Sequence, residues 1–166
     1  MLYRTIDKTG DELSILGFGC MRLPGSDIEI DEERADKQIR YAIDRGVNYI
    51  DTAFPYHMGK CEPFLGRALA DGYREKVKLA TKMPPWVIDS FEVMGHVLDS
   101  HLERLKTEYI DYYLIYSLDR KIWENMKDLG VLNFLDIAKE DKRIINTGFS
   151  FHGEIDVFKE IIDAYD

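Results

Sequence analysis

Short apolar runs alternate along this chain with stretches in which apolar residues recur every three or four positions. Two strand-like runs, residues 2–6 and 13–16, flank a Lys8-Thr9-Gly10-Asp11 turn, which predicts an N-terminal hairpin. Residues 16–21 form a short apolar strand containing Gly17 and Gly19. Ala35, Ile39, Ala42 and Ile43 then share one helical stripe, with Gly46 as its C-cap. The alternation continues with strands over 47–52, 77–82, 109–116 and 144–150. The helices between them carry Phe64, Leu65, Ala68 and Leu69, ending near Gly72, then Met94, Leu98, Leu102 and Leu105 from about Ser90, then segments over 122–138. Pro84-Pro85 forces a loop after the strand at 77–82, and a helix over 154–165 closes the series.

A hairpin followed by about five β/α units predicts parallel strands joined by right-handed helical crossovers, an α/β fold. An open doubly wound sheet and a (β/α)8 barrel both use such units. The pattern favours barrel-type units, but a closed barrel typically needs ~250 residues, and this chain has 166. The expected fold is therefore a TIM-barrel-type set of (β/α) units, an incomplete barrel of about five units out of eight with an N-terminal β-hairpin. Residues 1–166 are expected to make a single domain.

Composition narrows the partners. The chain is 45% hydrophobic and 32% charged, as in an ordinary globular protein. Its net charge of −9 is spread along the sequence, with no clustered Lys and Arg to release counterions, so neither nucleic acid nor an anionic membrane is expected as a partner. No apolar leader or stretch of about 20 apolar residues stands out, and a cytoplasmic location is expected. Cys20 and Cys61 lie far apart in sequence and form no CxxC pair, which argues against a disulfide scaffold or a closed zinc site. His96 and His101, five apart on one helix, are poorly spaced for shared metal ligation, so no metal site is expected. No GxGxxG follows a strand, and no phosphate-binding loop of the flavodoxin type is apparent.

Side chains at the carboxyl ends of parallel strands converge on one face. Here those positions hold Asp51, Lys82, Tyr116 and Ser150, with Tyr56 five residues beyond Asp51. A phenol, an ammonium and a carboxylate together suit carbonyl reduction. The developing alkoxide needs a proton, and an ammonium beside a phenol favours the phenolate and lowers its pKa from about 10. The carboxylate holds the lysine charged and in place. Hydride must come from a nicotinamide, since no side chain supplies one. Taken singly, each of these residues reads equally well as a loop, packing or solvated residue.

The run from Asp51-Thr52-Ala53-Phe54-Pro55-Tyr56 through Glu62 to Leu69 resembles the aldo-keto reductase signature around its catalytic Asp and Tyr. Leu79-Ala80-Thr81-Lys82 resembles that family's lysine strand. Residues 17–24 are similar to its first barrel strand, and residues 109–115 and 148–150 to its fourth and fifth. The resemblance implies a barrel oxidoreductase that reduces aldehydes or ketones with NADPH or NADH. It further implies that Tyr56 is the general acid, Lys82 tunes it and Asp51 holds Lys82. Ser150 would contact the nicotinamide carboxamide, with Gly19 and Met21 lining the floor nearby.

Two departures accompany the resemblance. The family places a histidine where this chain has Tyr116, a phenol that can still donate a hydrogen bond. His57 and His152 are alternatives for that role, though loop histidines are ordinarily solvated. The family's last two strands, which supply much of the cofactor phosphate grip, have no counterpart. Completion by further sequence, by a complementing chain or by a homo-oligomer is therefore expected. The alternative is a non-catalytic half-barrel that self-associates or binds a partner. Trp86, after Lys82, is a candidate pocket wall.

Overall fold

A computed structural model of the chain describes residues 1–164. Strands β1 (Tyr3–Thr5) and β2 (Glu12–Ser14) form the expected antiparallel hairpin, with Tyr3 opposite Ser14. The main sheet comprises β3 (Phe18–Gly19), β4 (Tyr49–Asp51), β5 (Lys78–Met83), β6 (Ile110–Leu118) and β7 (Ile144–Phe151). Its order is β3-β4-β5-β6-β7, and every pairing is parallel. Among the described strands the order never reverses, so they make no topological switch point, unlike a doubly wound or flavodoxin-like arrangement. Five consecutive parallel strands with an N-terminal hairpin make an incomplete barrel.

The helices are α1 (Glu32–Asp44), α2 (Cys61–Ala68), α3 (Phe91–Leu105), α4 (Arg120–Asp128), α5 (Val131–Glu140) and α6 (Ile155–Ala164). Short polar side chains start two of them. Asp31 accepts a hydrogen bond from the Arg34 amide, and Asp119 from that of Ile122. The helical region expected over 122–138 is two helices, broken at Gly130 with φ of 83°. Between β4 and α2 the chain makes a tight turn at Tyr56–Gly59, in which His57 and Met58 have left-handed backbone. Of the helix expected over 154–165, Tyr165 lies outside the described residues.

Period-two alternation divides the strand residues between two faces. Ile50, Leu79, Met83, Tyr113 and Ile115 pack against the helices in one buried core with Leu65, Met94, Leu98 and Trp123. At Gly66 a Cβ would fall 2.5 Å from the Arg104 carbonyl oxygen, so only glycine lets α2 lie this close to the end of α3. The other face carries Lys78, Lys82, Tyr112 and Tyr116, and it builds the site. Among the described residues, no helix is long and apolar enough to cross a membrane.

Candidate active site

Strand β5 sets the geometry. Lys82 projects from its carboxyl end, and its neighbour Ala80 pairs with Asp51 on β4. The Lys82 ammonium is 7% exposed and uses its three donors fully: 2.8 Å to Asp51 Oδ1, 2.8 Å to the Thr52 carbonyl and 3.2 Å to the Tyr56 hydroxyl oxygen. An ammonium has no acceptor. The Tyr56 oxygen therefore receives a hydrogen bond from Lys82 while its own O–H stays free to point into the mouth. The expected trio meets.

The Tyr56 acidity departs from expectation. Burial pushes the phenol up to about 12, helped by the Asp51 carboxylate and the two nearby thiols, against the downward pull expected from the lysine. Asp51 occupies Lys82 and opposes phenol ionisation. The hydroxyl is thus held in its proton-bearing form at neutral pH.

Tyr116 lies on the same rim, its ring centroid 6.0 Å from the Lys82 nitrogen. Burial also raises its pKa. Trp86, more than half exposed, packs edge-on against Tyr116 at 5.4 Å, so the two rings form one aromatic wall. Gly19 pairs with Asp51 in the sheet and has open space where a side chain would stand. Met21 is exposed beyond it. Ser150 sits apart from the trio: its Oγ accepts a 2.6 Å bond from the Ser117 amide, where β6 is irregular and Ser117 has φ of 54°. A hydroxyl that accepts there keeps its own proton for donation. Gly19 thus leaves open space at the end of β3, and Ser150 keeps a hydroxyl proton at the end of β7.

Three arrangements were not expected. His57 is buried, not solvated: Leu23 N–H donates to its Nε2 at 3.1 Å and its Nδ1 lies 3.0 Å from the Ser26 carbonyl oxygen, so it has no nitrogen left for a substrate. His152, by contrast, is exposed. Behind the sheet, Glu62 on α2 meets His101 Nδ1 at 2.7 Å, Arg104 Nε at 2.7 Å and the Thr81 hydroxyl at 2.6 Å. Burial pulls the Glu62 carboxyl up, but those partners outweigh it and hold it below the usual range. His101, which shares no ligand spacing with His96, thus has a carboxylate partner on the neighbouring helix. Cys20 and Cys61, separated by 41 residues, meet at 3.5 Å from the Cys61 thiol to the Cys20 carbonyl, and both are free and buried. Their mutual hydrogen bond and burial push the Cys20 thiol well up. Among the described residues, no group of three or more His, Cys, Asp or Glu could hold a metal.

The model of the aldo/keto reductase family matches residues 15–164. A probable aldo-keto reductase from Glycine max is 35% identical over 122 residues, covering 68% of this chain and 35% of that protein. The aldo-keto reductase YhdN of Bacillus subtilis is 34% identical over 130 residues, covering 72% of this chain and 39% of that protein. The holo form of an aldo-keto reductase from Bacillus halodurans superposes with a TM-score of 0.83 at 27% identity, covering 100% of this chain and 55% of that one. The chain thus spans between about one third and somewhat over half the length of these relatives.

Proposed function

Because the chain belongs to the aldo/keto reductase family, we propose that it reduces aldehyde or ketone carbonyls with hydride from NADPH or NADH. The observation that carries this reading is the direction of the hydrogen bonds around Tyr56. Lys82 donates to the phenol oxygen, so the phenol proton is aimed outward as a general acid. Asp51 and the Thr52 carbonyl fix Lys82 and keep its charge beside the oxygen that turns negative when the proton leaves.

When bound, a nicotinamide supplies the hydride. Gly19 and Met21 would line its floor, Asp51 would border it, and the Ser150 hydroxyl would donate to its carboxamide. Tyr116 stands where a second donor to the substrate oxygen is useful, with Trp86 beside it as a pocket wall. The 166 residues act as one partial-barrel domain, and the remaining barrel comes from further sequence, a complementing chain or a second copy. Two free thiols favour a cytoplasmic setting.

The test is oxidation of NADPH with a simple aldehyde, followed by absorbance. Tyr56→Phe should lower kcat/KM by roughly 10² to 10⁴. Equal rates for the two proteins would remove Tyr56 from the mechanism.

One observation favours a second reading, a non-catalytic half-barrel that assembles with a partner. Among the described strands, β7 pairs only with β6. A cleft of about 520 Å³ beside β7 is lined by Ile145, Phe149, Leu135 and Ile161. Titrating the purified chain with NADPH while following nucleotide fluorescence separates the two, since saturable micromolar binding contradicts a purely structural role.

A further inference from the structure

Residues 21–31, which follow β3 and border the mouth, form a strap bonded largely to itself. The Ser26 amide donates to the Glu29 carbonyl at 2.7 Å, the Asp31 amide to the Pro24 carbonyl at 2.8 Å, and Gly25 bridges to Ile30. The fastenings from the catalytic turn to this strap come from two residues. His57 takes the Leu23 amide and faces the Ser26 carbonyl, and Lys60 forms an ion pair with Glu29.

The hydrogen bonds fix the state of the imidazole. Leu23 N–H is a donor, so Nε2 must present its lone pair. Nδ1 then carries the proton and donates to Ser26. Both requirements are met only by the neutral ring in the Nδ1–H form. His57 also adopts φ of 50° and Met58 φ of 53°, followed by Gly59 at 86°, three left-handed residues in a row. Left-handed backbone in non-glycine residues persists where surrounding contacts over-determine it. Here the buried ring supplies such contacts one residue beyond Tyr56.

We propose that His57 is the positioning residue of this site, a neutral imidazole clasp that locks the strap to the catalytic turn and thereby fixes the Tyr56 hydroxyl against Lys82. The assignment rests on the role proposed above for Tyr56. His57 touches neither substrate nor cofactor, since both ring nitrogens are engaged by backbone. Its loss displaces the phenol without removing it, and a displacement of about 1 Å at a reacting group costs on the order of 10²-fold in rate.

His57→Ala and His57→Asn separate this role from bulk stability. Asparagine tolerates left-handed backbone and places an amide N–H near the Nδ1 position, so it can keep the Ser26 bond. The alanine variant should lose about 10- to 100-fold in kcat with aldehyde KM changed less than about threefold, and the asparagine variant should recover most of that loss. An alanine variant within twofold of the unmutated chain, or an asparagine variant no better than alanine, overturns the proposal. If the alanine variant does not fold, the unmutated chain decides by ¹⁵N NMR. A coupling between the Leu23 amide nitrogen and His57 Nε2 supports the clasp, and an Nε2-protonated ring overturns it. If no carbonyl is reduced, the proposed function fails on its own, and the ¹³C signal of the Tyr56 ring decides instead. A shift in the alanine variant that returns in the asparagine variant supports positioning, and an unmoved signal refutes it.

Discussion

Strand β5 bears a lysine near each end, and each belongs to a cluster with a carboxylate and a phenol. At the amino end Lys78 lies 2.8 Å from Asp11, a residue of the hairpin turn, and 3.6 Å from Asp111. Tyr112 donates its hydroxyl to Asp11 at 2.6 Å, and Asn146 adds a 3.3 Å bond to the same oxygen. At the carboxyl end Lys82 meets Asp51 and Tyr56. The residue types are the same at both ends, but the phenols are used in opposite ways. Tyr112 donates its O–H to a carboxylate, so its proton is committed to fastening the hairpin under the sheet. Tyr56 accepts from the ammonium and keeps its proton. Burial brings both phenols to about 12, so acidity alone cannot tell the two ends apart. Hydrogen-bond direction can.

Exchanging the lysines in turn should produce the largest contrast. Lys82→Met should reduce aldehyde turnover per folded molecule by roughly 10² to 10⁴, because the phenolate left after proton transfer loses its counter-charge. Lys78→Met should leave turnover per folded molecule within about twofold and instead lower unfolding stability by about 1 kcal/mol, a small figure because the Lys78 side chain is one-third exposed. Steady-state rates and urea unfolding on both variants test the pair. A Lys78 variant with the larger loss of turnover would erase the distinction between the ends.

A smaller effect comes from the phenols themselves. Tyr112→Phe removes a donor from a mostly buried carboxylate and should cost about 1–2 kcal/mol. Tyr56→Phe takes away only an acceptor that water at the open mouth can replace, and should cost about 0–1 kcal/mol. Urea midpoints of the two variants check the order, and equal destabilisation would mean that hydrogen-bond direction does not separate a fastening from an active group.

The upper end was more legible in the sequence than the lower one. Asp51 and Lys82 sit where apolar runs stop, and strand ends in β/α units converge, so their meeting follows from the alternation alone. The same logic brings Tyr116 to the rim beside Lys82, whereas Ser150 sits apart, bonded to the Ser117 amide. The Asp11–Lys78–Tyr112 fastening spans 101 residues between its aspartate and its tyrosine and begins in a hairpin turn, and no local period marks such a contact. The Glu62–His101 pair was hidden for a related reason. His96 is the residue that local spacing sets beside His101, whereas its partner lies 39 residues away on the helix packed beside it. His57 was hidden by its backbone: a left-handed histidine carries no glycine signal, and only the buried ring shows why it is tolerated. The thiols of Cys20 and Cys61 have no motif spacing because they meet through the pairing of β3 with β4 and the return of α2.

The smallest expected effect concerns acid. Burial pulls the Asp11 carboxyl up, but Lys78, Tyr112 and Asn146 outweigh it and hold the group below its ordinary value of 3.8. A carboxylate whose folded pKa is depressed contributes stability above its unfolded pKa and loses it as the pH falls through the folded one. The lower fastening should therefore loosen on acidification, beginning near the ordinary aspartate value and continuing below it. Asp11→Asn, which cannot titrate, starts from lower stability and should lose less of it over the same interval. Urea unfolding of both proteins at several pH values from about 5 down to about 3 reads this as a difference in slope. Parallel lines would show that Asp11 is no more strongly engaged in the folded chain than in the unfolded one, and the hairpin would then owe its place to backbone pairing and packing instead of to the carboxylate beneath the sheet.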